Sequence, residues 1–472
     1  MDVDRIAVIG AGPCGLGIAK YLLAEKKFQR ITIFEQRNQP GGVWNYTGDE
    51  GINNAPVIPR TKPSQEPQQN VKGNFASPVY DSLETNIPNS MMQFIDSPFP
   101  AGTSLFPAHG VVRSYLHQYA EDLLPYIRFQ SLILDVVLST KHPKPKWTVT
   151  WRDLKAQSVL VEQFDAVVVA NGHHNDPYIP EIDGLAEWSQ SFPGSIIHSS
   201  TYRRAASFAN KKVIVVGHSA SGIDIANQIS NVSKHPLLIS ERTATALSPA
   251  QAVTAKSLPE ISFLNAQDRR VKFINGHEEK DVDHIVFCTG YHFSIPFLST
   301  LRPSIVTDGV RPHHLYQHVF YSKEPTLALI GFPQRIVPFP ISQAQGAWVA
   351  RVFSGRVSLP SELEMERWNV EWAAAHGEGR SYNILAFPLD ADYINSLYEL
   401  SSRASQKEGL ENEGRGKEPP FWGERERWTR ARFPLIKKAS QALGDRRGEI
   451  KTLEQLGFDY EKDVAQDVGA RL

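Results

Sequence analysis

The sequence predicts an α/β protein made of two Rossmann-like dinucleotide-binding domains, the smaller one inserted into the larger, plus a helical C-terminal extension. Three observations predict it. An apolar strand running into a glycine turn and a helix occurs at Arg5–Gly10 and recurs at Lys212–Gly217. From Pro360 onward the chain becomes charged, with helical spacing. Finally, 472 residues exceed the size at which one hydrophobic core stops growing, so at least two packed units are required.

In chain order, Arg5-Ile6-Ala7-Val8-Ile9-Gly10 is an unbroken apolar strand, as expected where both faces of a parallel sheet are covered. A helix is expected from Leu16 to Leu23, and a second strand at Ile31–Glu35. Residues Ile52 to Phe75, rich in Pro, Gln and Asn without hydrophobic period, read as an irregular insertion. Ala166–Ala170 and His284–Cys288 are further buried strands. They run into the turns Asn171-Gly172 and Thr289-Gly290, so their C-terminal ends face a cofactor. The second unit comprises the strand Lys212–Gly217, a helix from about Gly222 to Ile229, and the strand Leu237–Ser240. In the tail, Glu362–Trp368 and Gly423–Trp428 read as helices with solvated charged faces, and Arg403 to Lys417 as a loop.

Composition excludes several classes. Hydrophobic residues at 41% and charged residues at 21% are ordinary globular values. Fifty Lys and Arg against 51 Asp and Glu leave no field that would attract nucleic acid or an anionic membrane. The 2 cysteines, Cys14 and Cys288, form no CxxC, which argues against a metal knuckle and against a disulfide framework, so no metal is expected. A reducing, cytoplasmic compartment fits this usage. The first residues lack the basic segment of a signal peptide, and no uncharged apolar run approaches the ~20 residues needed to span a bilayer. The sequons at Asn45 and Asn231 read as chance matches. The last residues, Ala470-Arg471-Leu472, resemble a variant of a peroxisomal address, which makes the peroxisome the alternative location.

The chemistry is carried by the glycine motifs. In Gly10-Ala11-Gly12-Pro13-Cys14-Gly15 the first glycine permits the turn, the second admits a pyrophosphate, and the third lets helix pack on strand. Glu35 lies twenty residues later at a strand tip, the position from which a carboxylate bonds a ribose hydroxyl. Pro40-Gly41-Gly42-Val43-Trp44-Asn45 is similar to the turn beside the flavin in two-dinucleotide flavoproteins, which assigns FAD to the first unit and Gly42, Val43 and Trp44 to its surroundings. In Gly217-His218-Ser219-Ala220-Ser221-Gly222 a serine replaces the middle glycine, narrowing the approach while adding a hydroxyl for phosphate. Arg242 follows the second strand of that unit, where a guanidinium fork would meet the 2′-phosphate of NADP, and favours NADP over NAD.

Phe192, Gly194, His198 and Tyr202 match the pattern FxGxxxHxxxY/F, and with it the chain resembles the flavin-containing monooxygenases, most nearly the fungal members without a membrane anchor. The segments Thr85-Asn86, Cys288-Thr289-Gly290-Tyr291 and Phe339–Gly346 extend the resemblance, with Cys288 in place of the usual alanine. It implies an FAD domain at 1–205, an NADP domain at 206–295, a return to the FAD domain at 296–360 and a helical extension at 361–472. It further implies that Thr85, Thr289, Gly290 and Gln343 contact cofactor, and that Asn86, beside the flavin, is catalytic. His198 is read as a brace between domains rather than a proton-transfer group.

The activity implied is NADPH- and FAD-dependent monooxygenation, in which a C4a-hydroperoxyflavin passes one oxygen atom of O2 to a sulfur or nitrogen nucleophile of a small molecule. Such a nucleophile needs no general base, in keeping with a chain that shows no catalytic triad. The other readings are Baeyer–Villiger oxygenation of a ketone, which Tyr202 in place of tryptophan disfavours, and a non-catalytic flavoprotein. A flavin disulfide reductase would need a cysteine pair at the flavin. Pairing of two copies into a homodimer stays open.

Overall fold

A computed structural model describes residues 1–51, 58–65, 75–139, 146–243 and 254–469. Most of the Ile52–Phe75 insertion and the tripeptide Ala470–Leu472 lie outside the described residues. The larger sheet has seven strands in the order Leu315–Tyr316, Phe320–Tyr321, Leu327–Leu329, Ala166–Val169, Arg5–Ile9, Arg30–Phe34 and Ile127–Arg128. The strand Arg5–Ile9 is central and pairs in parallel with both neighbours: Val8 stands opposite Ile33 on one side and Val168 on the other.

Alternation along these strands builds two cores. Ile6, Val8, Ala166 and Val168 point to the layer of the helices Pro13–Ala24 and Pro338–Phe353. Ala7, Ile9, Val167 and Val169 point the other way, onto Trp147, Trp151 and Phe164 of an antiparallel three-stranded sheet. Burial on both faces is the reason the strands read as unbroken apolar runs.

The smaller sheet has five parallel strands in the order Ala255–Leu258, Leu237–Ser240, Val213–Val216, His284–Phe287 and Ile196–His198. The last of these precedes residue 206, where the sequence places the start of the second unit. Ile196–His198 bonds along His284–Phe287, and Leu185 and Trp188 share the core of this sheet, so the unit begins earlier than sequence spacing indicates. The chain then returns to the large sheet, where Leu327–Leu329 pairs with Val167–Val169.

The extension folds as helices Glu362–His376, Leu389–Ser402, Glu424–Ala431, Phe433–Gln441 and Tyr460–Gly469. Ser361 and Glu364 form a reciprocal capping box at the first of these. One buried ion pair ties the chain leading into the extension onto the larger domain, and another joins two helices of the extension. Arg356 forks onto Glu25 at 2.7 and 2.8 Å with both side chains almost fully buried, and Arg430 meets the buried Asp390 at 2.6 Å. Arg430, just past the charged run Gly423–Trp428, is thus paired with a carboxylate buried by the packing of two helices.

Candidate functional site

The first glycine loop is built by close approaches. Gly10 has φ +106°, and a Cβ on it would lie 2.5 Å from the Ala170 carbonyl oxygen. A Cβ on Gly15 would lie 1.8 Å from the Gly10 carbonyl oxygen. Both glycines are thus demanded by the protein's own packing. Gly12 is different: its φ is −75°, and a Cβ would meet nothing nearer than Gly42 Cα at 3.6 Å. Nothing in the protein forbids a side chain there, so unlike Gly10 and Gly15 this glycine is not demanded by the protein's own packing.

Gly12 is also the N-cap of the helix Pro13–Ala24 and gives it no side-chain cap, so the first-turn N–H groups remain available to an anion. The Gly42–Trp44 turn backs onto this loop. Gly41 N–H donates to the Ala11 carbonyl at 2.9 Å, and Gly42, at φ +58°, stands so near that its Cβ would lie 3.0 Å from Gly12 Cα. Glu35 is buried beneath the loop, where its carboxylate accepts from Ala11 N–H at 2.8 Å and Arg37 N–H at 2.9 Å. Burial pushes its pKa up, and those two N–H groups oppose the shift.

The second loop repeats this design. Gly217, at φ +93°, would place a Cβ 2.7 Å from the Cys288 carbonyl oxygen, and a Cβ on Gly222 would lie 2.1 Å from the Gly217 carbonyl oxygen. Only the middle position differs. Ser219 caps the helix Ala220–Ser230 without a side-chain hydrogen bond, and Ser219, Ala220 and Ser221 are all exposed. Glu241 occupies the place of Glu35, its carboxylate 3.4 Å from His218 Nδ1 and bonded to Ser257 at 2.6 Å. Arg242 is 79% exposed and pairs with Glu260 at 2.8 Å on the surface. Residues 244–253, which follow it, lie outside the described residues.

The family-pattern residues are structural. His198 is fully buried; its Nδ1 bonds Ser200, and its Nε2 meets the Gly290 carbonyl at 3.0 Å. Burial lowers its pKa to about 4, so the imidazole is neutral at neutral pH. Tyr202 OH donates to Gln228 Oε1 at 3.0 Å, and Thr289 Oγ1 donates to the Tyr178 carbonyl.

The Thr85–Asn86 loop is anchored by Thr85, whose N–H donates to the Pro107 carbonyl at 3.0 Å and whose Oγ1 donates to the Ile87 carbonyl at 2.9 Å. Asn86 itself is exposed. Leu83 accepts from His109 N–H, and the His109 ring packs 5.2 Å from Tyr46, which ties this loop to the chain just past the Gly42–Trp44 turn.

Gln343 does not sit as the sequence suggests. It is fully buried, its Oε1 accepting from Ile95 N–H at 2.9 Å and its Nε2 donating to Asp96 at 2.9 Å, so it braces the segment Ile95–Asp96. Two of the first three residues of its helix, Pro338 and Pro340, have no N–H to offer an oxygen. The cysteines are free, and burial pushes both thiols up to about 12, which disfavours thiolate redox chemistry. Among the described residues no cluster of His, Cys, Asp or Glu forms a metal site, and no helix is long and apolar enough to cross a membrane.

Sequence reasoning missed Lys437 and Arg447. Lys437 Nζ donates to the Thr85 carbonyl at 2.7 Å, and Arg447 pairs with Glu84 at 2.9 Å. No local signal marks them, because their partners lie some 350 residues away and only packing brings them together.

Known proteins agree with this geometry. The family described as flavin-binding monooxygenase-like matches residues 66–254 and 248–412, and that of the NAD(P)-binding Rossmann-like domain matches residues 8–76. The flavin-containing monooxygenase FMO GS-OX-like 2 of Arabidopsis thaliana is 36% identical over 377 residues, covering 76% of each chain. The flavin-containing monooxygenase ustF2 of Aspergillus flavus is 28% identical over 466 residues, covering 86% of this chain and 94% of its own. Among solved structures, the S-allyl-L-cysteine S-oxygenase of Allium sativum superposes with a TM-score of 0.75 at 28% identity, covering 99% of both chains. The chain belongs to the flavin-containing monooxygenase family and is a flavin-dependent monooxygenase that uses FAD and NADPH.

Proposed function

We propose that the enzyme transfers one oxygen atom of O2 to a soft sulfur or nitrogen atom of a small molecule, with FAD on the Gly10–Gly15 loop and NADPH on the Gly217–Gly222 loop. The balance is substrate, O2, NADPH and a proton in, and oxygenated substrate, NADP⁺ and water out. When bound, the flavin supplies the redox chemistry, taking hydride from NADPH and activating O2. The observation that carries the reading is Gly12, a glycine that the protein's own packing does not demand, at a helix N-terminus without a side-chain cap. Gly12, Pro13, Cys14 and the Gly42–Trp44 turn would hold the pyrophosphate, and Glu35, which accepts from Ala11 N–H below the loop, would bond the ribose.

Around the second loop, Ser219 and the exposed first turn of Ala220–Ser230 take the pyrophosphate, and Arg242 exchanges Glu260 for the 2′-phosphate. Asn86 is the residue of this chain that meets the reacting centre, as a neutral amide donor. A sulfur or nitrogen lone pair needs no base to attack, which suits a site where His198 is neutral and tied on both ring nitrogens. The Allium relative, named for S-oxygenation, supports sulfur as the acceptor. Two free cysteines support a reducing compartment such as the cytoplasm. Oxygen uptake with NADPH, measured with a thioether, a tertiary amine and a cyclic ketone in turn, tests the proposal. Product from the ketone alone would overturn it in favour of Baeyer–Villiger chemistry.

A further inference from the structure

We propose that Lys437, from the C-terminal extension, is a positioning residue for oxygen transfer, fixing and polarising the Thr85–Asn86 peptide that carries the proposed catalytic Asn86. The inference rests on the assignment of Asn86 above.

The carbonyl that accepts from Lys437 Nζ, at 2.7 Å, is the Thr85 oxygen, so it belongs to the same peptide group as the Asn86 N–H. A trans peptide is planar, and its C=O and N–H point to opposite sides. An ammonium on the carbonyl side therefore draws electron density from the amide and makes the Asn86 N–H, on the far side, a stronger donor. Among the described residues no hydrogen bond engages the Asn86 N–H or its side chain, whereas Thr85, one residue earlier, is bonded at both its N–H and its hydroxyl. The anchored half of the loop faces the extension, and the unpartnered half is exposed.

Lys437 is itself held in place from every neighbouring element. Its Nζ lies 4.3 Å from the centre of the Phe106 ring. It feels the carboxylates of Glu84, on the same loop, and of Asp224, on the helix Ala220–Ser230 of the NADP domain, and the opposing charge of Arg447, which pairs with Glu84. Asp224 in turn accepts from Tyr80 OH and from Gln228 Nε2. Leu105, Phe106 and Ile436 pack together beside it, and Leu105 N–H donates to the Ile450 carbonyl at 2.8 Å. The extension, the NADP domain and the Asn86 loop thus meet at one ammonium group. Burial lowers the Lys437 pKa from its ordinary value, and the Glu84 and Asp224 carboxylates oppose that shift.

The reaction partitions between two balanced outcomes. NADPH, a proton, O2 and substrate give NADP⁺, water and oxygenated substrate, or else NADPH, a proton and O2 give NADP⁺ and hydrogen peroxide. The full-length holoenzyme, saturated with a thioether, is assayed for hydrogen peroxide formed per NADPH oxidised, as wild type, Lys437→Met, Lys437→Arg and Asn86→Asp. Loss of one charge-assisted hydrogen bond should shift the partition toward hydrogen peroxide about tenfold in Lys437→Met. Lys437→Arg keeps the charge and should restore most of the coupling. The wild-type leak should rise as pH increases toward the ordinary lysine pKa of ~10.4, while that of Lys437→Met should be high and flat.

A Lys437→Met enzyme that retains FAD and leaks like wild type across this range overturns the inference. If Asn86→Asp leaks in that same experiment, only the role of Lys437 fails; if Asn86→Asp also stays coupled, the assignment of Asn86 fails first. Should Lys437→Met not fold, a flat wild-type pH profile overturns the inference, and a profile rising over that range that shifts to higher pH in Lys437→Arg sustains it.

Discussion

Replacing Gly12 by alanine separates what the fold needs from what the cofactor needs. The backbone there, at φ −75°, accepts any L-residue, and the added methyl carbon would lie 3.6 Å from Gly42 Cα, an ordinary van der Waals contact. Alanine is a poorer N-cap than glycine by about 0.5–1 kcal/mol. It also restricts the unfolded chain, which stabilises by about 0.4–1 kcal/mol. The two effects nearly cancel, so the FAD-free protein should keep its melting temperature. A pyrophosphate seated against that backbone meets the methyl group as an overpacked contact costing about 1–3 kcal/mol. FAD affinity should therefore fall about 5- to 150-fold. Titration of the FAD-free protein with FAD, followed by flavin fluorescence, measures the loss, and thermal unfolding of the same sample measures the stability. Gly15→Ala is the control, because its Cβ would lie 1.8 Å from a carbonyl oxygen and should disrupt folding itself. Wild-type FAD affinity in Gly12→Ala would refute the reasoning, since the Gly12 backbone would then not face the pyrophosphate.

Arg242→Ala should raise KM for NADPH and leave that for NADH little changed, because a coenzyme without the 2′-phosphate gives the guanidinium no partner beyond its surface pair with Glu260; equal effects would show that Arg242 reads something else. Asn86→Asp should still bind FAD and be reduced by NADPH yet release hydrogen peroxide in place of product, as a product assay alongside a peroxidase-coupled assay would show. Arg356→Met leaves the Glu25 carboxylate buried without a counter-charge, with only the Ser354 hydroxyl among the described residues still donating to it, and should cost about 3–5 kcal/mol in chemical denaturation; a loss below about 1 kcal/mol would mean that water reaches the site. His198 takes up a proton at about 4 in the folded protein against 6.5 in the unfolded chain. Stability should therefore fall as pH drops from 6.5 toward 4, because only the unfolded chain protonates in that window. His198→Gln should remove about one proton from the acid slope of stability against pH, and an unchanged slope would contradict its burial as a neutral ring.

The sequence by itself determined the two βαβ units, because their signals are local. Strand, glycine turn and helix follow one another within about twenty residues, and φ values near +100° at Gly10 and Gly217 can be met only by the residue type found there. The same locality draws attention to Glu35 and Ser219, each read from its distance to a motif. Tertiary structure alone decided the rest. That a Cβ on Gly12 would meet only Gly42 Cα at van der Waals distance, whereas one on Gly10 or Gly15 would run into a carbonyl oxygen, depends on Ala170 and on the Gly42 turn. The inward turn of Gln343 depends on Ile95 and Asp96, some 250 residues away. Lys437 and Arg430 look alike on paper as members of a charged helical tail, and only packing gives one the Thr85 carbonyl and the other the buried carboxylate of Asp390. Backbone conformation and period are properties of neighbouring residues. The partner of a long charged side chain is a property of what the fold sets against it, and a single chain read in order does not encode that in any one place.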